Sequence, residues 1–488
     1  MTAARKAGTP TQAGCVRGAV DPSSLCVSVA ELAATPDGRD ADAAHDATLY
    51  EEATQIAGLA PAGDRLLPQG CARFVSPGMG GWGIARGALC IPESVLLFVA
   101  PQACARHGIV ASVLNGNRNR IFFLGTSETD LVMGTHVDRI QEMVGRILAA
   151  LPEQPRAFLI LATCVDDLLG SDIHGICRTL SKKYGIPFSD FHMDPITKTS
   201  STPPAISLQR SIFRLLSDEG PLPDPNGRPQ LEPDAANLIG GFVPVDADSE
   251  LYDVLRAAGL TTLRQLSTCA TYDDFLAMRL SGRNILLKPF AGLACRDMER
   301  RLGIPWHPVK QHLLPELVAA QYDALGSELG TRLGYEDARA RAFAELDAAR
   351  PWISQLSVAV GSNLNGSSFE VAALLRRLGA HVSFVIADQV APSERTALEE
   401  LAAHDPELRV YPATHPALSL VGKLDERADV AIGFDAAKLC PEAHLMLLDA
   451  DTQPFGFQCA TSLIRDLHAA LDHPLSAKEL LYKKGMVV

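Results

Sequence analysis

The chain predicts an α/β fold with parallel sheets. Short apolar runs alternate with amphipathic helical stretches, and a glycine repeatedly stands just past the helix end. The pattern recurs in three clusters, which implies three Rossmann-like domains. In the first, residues 158–162 (Phe-Leu-Ile-Leu-Ala) read as a buried strand and 173–184 as a helix closed by Gly185-Ile186-Pro187. In the second, a strand over 237–241 leads to a helix over 250–258 and Gly259. A strand over 284–287 then precedes a helix over 294–302, closed by Gly303-Ile304-Pro305. The third repeats the theme with a strand over 357–360, a helix over 369–378 capped by Gly379, and a strand over 382–386. A last helix over 460–471 carries its apolar face at Leu463, Ile464, Leu467 and Leu471.

Composition sets the boundaries between these clusters. The stretch 218–233 holds five prolines and reads as a linker. Residues 308–349 read as helical and bridge the second and third clusters, with a boundary at Arg350-Pro351-Trp352. The domains are therefore placed at 67–232, 233–350 and 351–488. Residues 1–66, rich in Ala, Asp, Gly, Thr and Pro, form an extension that is partly disordered, with a short helix near 50–57.

Charge and hydropathy narrow the function. The 488 residues carry 57 acidic against 44 basic groups, a net charge of −13, which disfavours nucleic acid and anionic membranes as partners. The longest apolar stretch, 91–105, is broken by Pro92, Glu93 and Pro101, so neither a membrane span nor a secretory signal is expected, and the chain reads as cytoplasmic. In that compartment its 11 cysteines are buried thiols, catalytic thiols or metal ligands rather than disulfides.

Most local motifs have a bland reading. Gly78-Met-Gly-Gly-Trp-Gly83 lacks the Lys-Ser/Thr of a phosphate loop and reads as a tight turn. Gly361-Ser-Asn-Leu-Asn-Gly366 lies between a strand and a helix, where backbone N–H groups can hold an anion; an ordinary connecting loop is the alternative. His192, His307, His312 and His415 stand near predicted strand ends, where ligands often bind; singly, each reads as a hydrogen-bonded structural histidine. Asp166-Asp167 reads as a helix cap or as part of a hydrogen-bonding shell. No Gly-x-Ser-x-Gly, His-Glu-x-x-His or Cys-x-x-Cys is present. Three cysteines carry more. Cys71 lies in Gly70-Cys-Ala72, Cys104 just after an apolar strand, and Cys164 at the end of another. Strand ends leading into helix starts favour thiolates, and thiolates distant in sequence suit a shared iron–sulfur cluster. Buried free thiols are the alternative.

At these residues the sequence resembles nitrogenase component 1 and its relatives, from about residue 68 to the C-terminus. The resemblance is carried by Gly70-Cys71-Ala72, Ala100-Pro-Gln-Ala-Cys104, Ser127-Glu-Thr-Asp-Leu-Val-Met-Gly134, and Thr163-Cys164 followed by Leu169-Gly-Ser-Asp-Ile173. Met298-Glu-Arg-Arg-Leu-Gly-Ile-Pro-Trp306 and Gly456-Phe-Gln-Cys-Ala-Thr-Ser-Leu-Ile-Arg-Asp-Leu add to it. It implies a nitrogenase component 1-like fold of three Rossmann-like domains. It implies an iron–sulfur cluster of the 4Fe–4S or 8Fe–7S type, with Cys71, Cys104 and Cys164 as this subunit's ligands and Cys90 as an alternative to the first. It implies a homologous component 1-type subunit as partner in a heterotetramer, and a homodimeric ATP-dependent iron protein as electron donor. The expected function is that of a subunit in a nitrogenase-like reductase, an oxidoreductase; methylthio-alkane and tetrapyrrole reductases are relatives of that kind. A cofactor-assembly scaffold and a metal-free small-molecule-binding α/β protein are the alternatives. A larger iron–sulfur cofactor in this chain is a further option, but the family's cofactor cysteine, after the middle strand of domain two, has no counterpart before Cys295, which is expected inside a helix.

Overall fold

The computed structural model describes residues 22–34, 64–65, 87–105, 116–193, 204–217, 230–362, 364–387, 389–413, 415, 417–418, 421, 423–448 and 453–476. Cys71, the 78–83 loop and the expected helix at 50–57 lie outside them.

Two short strands come first, β1 (Val27–Ser28) and β2 (Asp64–Arg65). The first sheet then forms from β3 (Ser94–Pro101), β4 (Ile121–Thr126), β5 (Ala157–Thr163) and β6 (Phe188–Met193), in the order β4-β3-β5-β6, all parallel. β5 is buried at every position and β3 at all but its last, as central strands covered on both faces must be. The covering helices include Thr135–Ala150 and Ile173–Tyr184 on one face and Pro204–Arg214 on the other.

The second sheet is also parallel: β7 (Glu232–Ile239), β8 (Thr262–Arg264), β9 (Ser281–Leu286) and β10 (Trp306–Pro308), ordered β10-β9-β7-β8. The helix Gly292–Leu302 that follows β9 packs against Pro204–Arg214 of the first unit. There Asp297, nearly buried, accepts from Arg210 Nε at 2.6 Å and Arg300 Nη2 at 2.6 Å.

The third sheet is built on β11 (Ser357–Val360), β12 (His381–Ala387), β14 (Arg409–Pro412), β15 (Val430–Ile432) and β16 (His444–Met446), parallel throughout, with β13 (Gln389–Val390) pairing separately with β2. β1 adds an antiparallel edge beside β14, and the helix Val29–Ala34 packs on Arg395–His404. Part of the N-terminal extension is thus built into the third unit, with Val29 fully buried in its core.

The bridge consists of helices Pro315–Leu329 and Glu336–Ile353. The second runs through residue 350, where the proline suggested a boundary. Pro351 falls in its final turn, where the missing N–H removes one rung and the helix stops shortly after. Two carboxylates, the buried Glu370 and the half-buried Glu250, bind the second and third units together. Glu370 accepts from Leu313 N at 2.6 Å and lies 2.8 Å from His312 Nδ1. Glu250 accepts from Phe457 N at 2.5 Å and from Tyr322 Oη at 3.1 Å, which fixes the start of the C-terminal helix Gln458–Asp472.

Candidate functional site

The first sheet brings the second and third sequence-predicted cysteines to one edge. β3 and β5 are adjacent and parallel, with Phe98 level with Leu161; continued, that register sets Pro101 beside Cys164. Cys104 follows three residues beyond Pro101, in a helical turn, and Cys164 opens the helix Cys164–Leu169. Both thiols are partly exposed. Among the described residues no group of three or more His, Cys, Asp or Glu side chains is assembled around a metal position. Two partly exposed thiols beyond neighbouring strand ends fit one side of a shared iron–sulfur cluster.

The alternative first ligand does not join them. Cys90 precedes β3, and β3 is about 23 Å long at ~3.3 Å per residue, so Cys90 lies at the opposite end of the sheet from Cys104. Its Sγ donates to the carbonyl of Phe242 at 3.5 Å. The remaining described cysteines are poor donors. Burial pushes the thiols of Cys269 and Cys440 up to about 11, that of Cys459 to about 12, and those of Cys177 and Cys295 strongly upward as well. Cys295 sits inside its helix, fully buried.

Two histidines grip the helix that carries Cys164, each through a different aspartate. Asp166 Oδ2 accepts from the N–H of Thr163 at 3.2 Å, capping the helix, while His136 Nε2 stands 3.3 Å from Asp166 Oδ1 and 3.2 Å from Ser171 Oγ. His136 Nδ1 lies 3.3 Å from the carbonyl of Asp130, so the same ring also holds the helix Glu128–Met133. That short helix has its own lock: Ser127 and Asp130 form a capping box, Arg139 Nη1 donates to Asp130 at 2.6 Å, and Gly134 ends it at φ +69°. On the other side, His192 Nδ1 is 2.7 Å from Asp167 Oδ1 and its Nε2 is 3.2 Å from Asp190 Oδ2; Asp190 also meets His174 Nδ1 at 3.0 Å. Burial works against charge on both partners. The flanking histidines nevertheless bring the Asp190 carboxyl down to about 2, and the two carboxylates hold the His192 imidazolium above its usual range. Sequence reasoning singled out His192 and the aspartate pair but missed His136, Asp190 and His174. His136 stands two residues after the Gly134 of a matched motif, and that was the available signal.

The same edge exposes apolar side chains. Val132 (84 % exposed) and Met133 (69 %) end the helix Glu128–Met133, and Leu168 (72 %) and Leu169 (52 %) end the helix that starts at Cys164. They are the large hydrophobic residues most open to solvent among the described ones, and the two helices presenting them are joined through His136.

A second region lies between the second and third units. After β9 the chain places Lys288. Its Nζ donates to Asn365 Oδ1 at 2.7 Å and to Gln311 Oε1. The Gly361–Gly366 loop contributes Asn365, but its anion-binding start is taken: Asp435 Oδ2 accepts from both N and Oγ of Ser362 at 2.7 Å. A carboxylate of the chain itself thus fills the place where a phosphate would sit. His307, His312 and His415 are engaged as structural histidines, with Glu328 at 2.5 Å, Glu370 at 2.8 Å and the N–H of Ala417 at 3.1 Å.

Three parallel-sheet units with thiols at one edge of the first define a class, and comparison with known proteins identifies it. The family of nitrogenase component 1 type oxidoreductases matches residues 81–438, and the chain belongs to that family. Among curated relatives it is similar to the nitrogenase iron-molybdenum cofactor biosynthesis protein NifE of Rhodobacter capsulatus, 26% identical over 373 residues that cover 70% of this chain and 74% of that one. NifE of Klebsiella pneumoniae is 24% identical over 380 residues, covering 73% and 80%. Among solved structures, "Nitrogenase Cp1 at pH 6.5" superposes with a TM-score of 0.63 at 15% identity, covering 83% of this chain and 94% of that one, which shows a shared fold. No described helix is long and apolar enough to cross a membrane.

Proposed function

We propose that the chain is an iron–sulfur subunit of a nitrogenase-like complex, holding a shared cluster through Cys71, Cys104 and Cys164 at an interface with a homologous subunit. The observation that carries this reading is the placement of Cys104 and Cys164 beyond the carboxyl ends of adjacent parallel strands, both partly exposed. A bound cluster would supply one-electron storage. The chain's own residues prepare for it. His136 and His192 fix the helix that starts at Cys164, so the thiolate is presented without a search among rotamers or helix positions. The exposed Val132, Met133, Leu168 and Leu169 form an apolar face for an electron-donating iron protein, set beside the cluster ligand. The pairing is heterotetrameric, and the complex acts as a reductase in the cytoplasm.

A second reading, a cofactor-assembly scaffold, is favoured by the NifE relatives, which are cofactor biosynthesis proteins. One experiment tests the core of both. Iron and acid-labile sulfide are measured on anaerobically purified complex, on wild type and on Cys71→Ala, Cys104→Ala and Cys164→Ala. Several irons per chain, lost in each variant, is the expected result; iron-free, well-folded wild type sinks the assignment. Substrate turnover with the iron protein then separates a reductase from a scaffold, which releases its cluster to an acceptor instead.

A further inference from the structure

The strand end beside the two thiols carries a hydroxyl that no other group of the chain uses. Thr163 closes β5 and is the N-cap of the helix Cys164–Leu169. It is 1 % exposed, and its Oγ1 has no hydrogen-bond partner in the chain. Capping engages the residue elsewhere: its N–H donates to Asp166 Oδ2 at 3.2 Å. The amides of the helix's first turn can only donate, so any contact they make with Oγ1 leaves its proton without an acceptor. A buried donor in that state is costly, and in folded proteins it calls for a partner such as water or a bound group.

The side chain shares a face with one thiol. Leu159 and Leu161 of β5 lie in the core covered by the helix Pro204–Arg214, against which Cys104 packs. Phe158, Ile160 and Ala162 lie in the core on the other side of the sheet. Thr163 is still extended (φ −111°, ψ 173°), so alternation sets it on the face of Leu161 and Cys104. The strand register agrees. Phe98 is level with Leu161, which brings Ala100 level with Thr163, and Cys104 follows four residues later in its helical turn. A second hydroxyl at this edge gives the contrast. Thr126 ends β4, level with Pro101, and its Oγ1 is also buried without a partner in the chain. Phe122 and Leu124 of the same strand lie in the opposite core, so Thr126 is turned away from Cys104.

From this placement we infer that Thr163 Oγ1 donates to the Cys104 sulfur when that thiolate holds an iron–sulfur cluster, and thereby sets the cluster's reduction potential. The inference rests on the proposed cluster reading and adds a residue to it. One-electron reduction makes the cluster more negative; a hydrogen bond to a ligand sulfur stabilises that state and raises the potential. The test is a potentiometric titration with dithionite, followed by electron paramagnetic resonance, on the anaerobically purified complex. Wild type is compared with Thr163→Val, Thr163→Ser and Thr126→Val, each checked for folding by circular dichroism. Held at the wild-type midpoint, where reduced and oxidised forms are equal, Thr163→Val should show a reduced-to-oxidised ratio lower by about threefold or more. Thr163→Ser, which keeps the O–H, and Thr126→Val, which removes one from the other face, should stay near equality. One exchangeable-proton coupling to the reduced cluster, read by electron–nuclear double resonance, should be present in wild type and Thr163→Ser and absent in Thr163→Val. Should Thr163→Val not fold, Thr163→Ala takes its place with the same expectation. The inference is overturned by an unchanged ratio or a surviving proton coupling in the iron-loaded hydroxyl-free variant, or by an equal drop in Thr126→Val or Thr163→Ser. It is overturned too by loss of the cluster from a folded hydroxyl-free variant, which would make the residue a structural cap alone. In those outcomes wild type still holds its iron and the cluster reading stands; iron-free wild type removes both.

Discussion

His136 Nε2 stands 3.3 Å from Oδ1 of Asp166, and both side chains are shut away from solvent. That oxygen has no hydrogen-bond partner, and the imidazole stands beside it while the ring's two nitrogens also meet the Asp130 carbonyl and Ser171 Oγ. Replacing the ring removes its contacts to the Asp130 carbonyl and Ser171 Oγ and its place beside the buried carboxylate, which costs about 2–3 kcal/mol. His136→Ala should therefore lower the melting temperature of the first unit by roughly 5–10 °C. It should also speed iron loss from loaded protein, read by chelator challenge. Unchanged iron release would remove His136 from the support of Cys164.

Cys90 gives the complementary case. It sits at the far end of β3 from Cys104, with its thiol turned to the carbonyl of Phe242. Cys90→Ser should leave iron and sulfide at wild-type levels. A loss matching that of Cys104→Ala would mean the two thiols serve one cluster, and the sheet geometry speaks against that.

Leu168 and Met133 are open to solvent, so a charge at either position meets water rather than core. Leu168→Glu and Met133→Glu should each change stability by less than about 0.5 kcal/mol. Both should weaken association with the electron-donating partner at least tenfold, measured by biolayer interferometry at fixed salt. Unimpaired association in both variants would dissociate this apolar face from docking.

The His192–Asp190 pair predicts a stability profile with two flanks. His192 is raised in the folded chain, so its contribution is fully present below the unfolded histidine value near ~6.5 and is lost as pH rises through the higher folded value. Asp190 is lowered, so its contribution is present above the unfolded carboxylate value near ~3.9 and fades as pH falls toward about 2. His192→Gln should flatten the loss of stability above neutrality in urea-unfolding midpoints taken across pH. A wild-type midpoint that rises from pH 6 to 8 and is insensitive to the variant would contradict the assignment.

The strands β5 and β11 and the helix Ile173–Tyr184 were legible in the sequence because local patterning governs them: continuous apolar runs for central strands, a glycine at the helix end. The edge strands were harder. β1 is two residues long and pairs across almost the whole chain with β14, and nothing local marks such a partner. The site divided the same way. Cys104 and Cys164 were legible as thiols at strand ends, whereas His136 and Asp190 matter only through neighbours that sheet and helix packing supply. The Gly361–Gly366 loop had the right sequence for an anion, but Asp435, more than seventy residues later, decides its occupancy.

That occupancy reaches past the loop itself. By seating its own carboxylate on Ser362, the third unit has turned a nucleotide-ready crevice into a closed hinge pin between β11 and the helix Phe434–Leu439. Phosphate has no point of entry at this loop, so the proposed reductase reading assigns the energy-coupled electron donor to a separate polypeptide. The timing of each delivery would then rest with the visitor rather than the host.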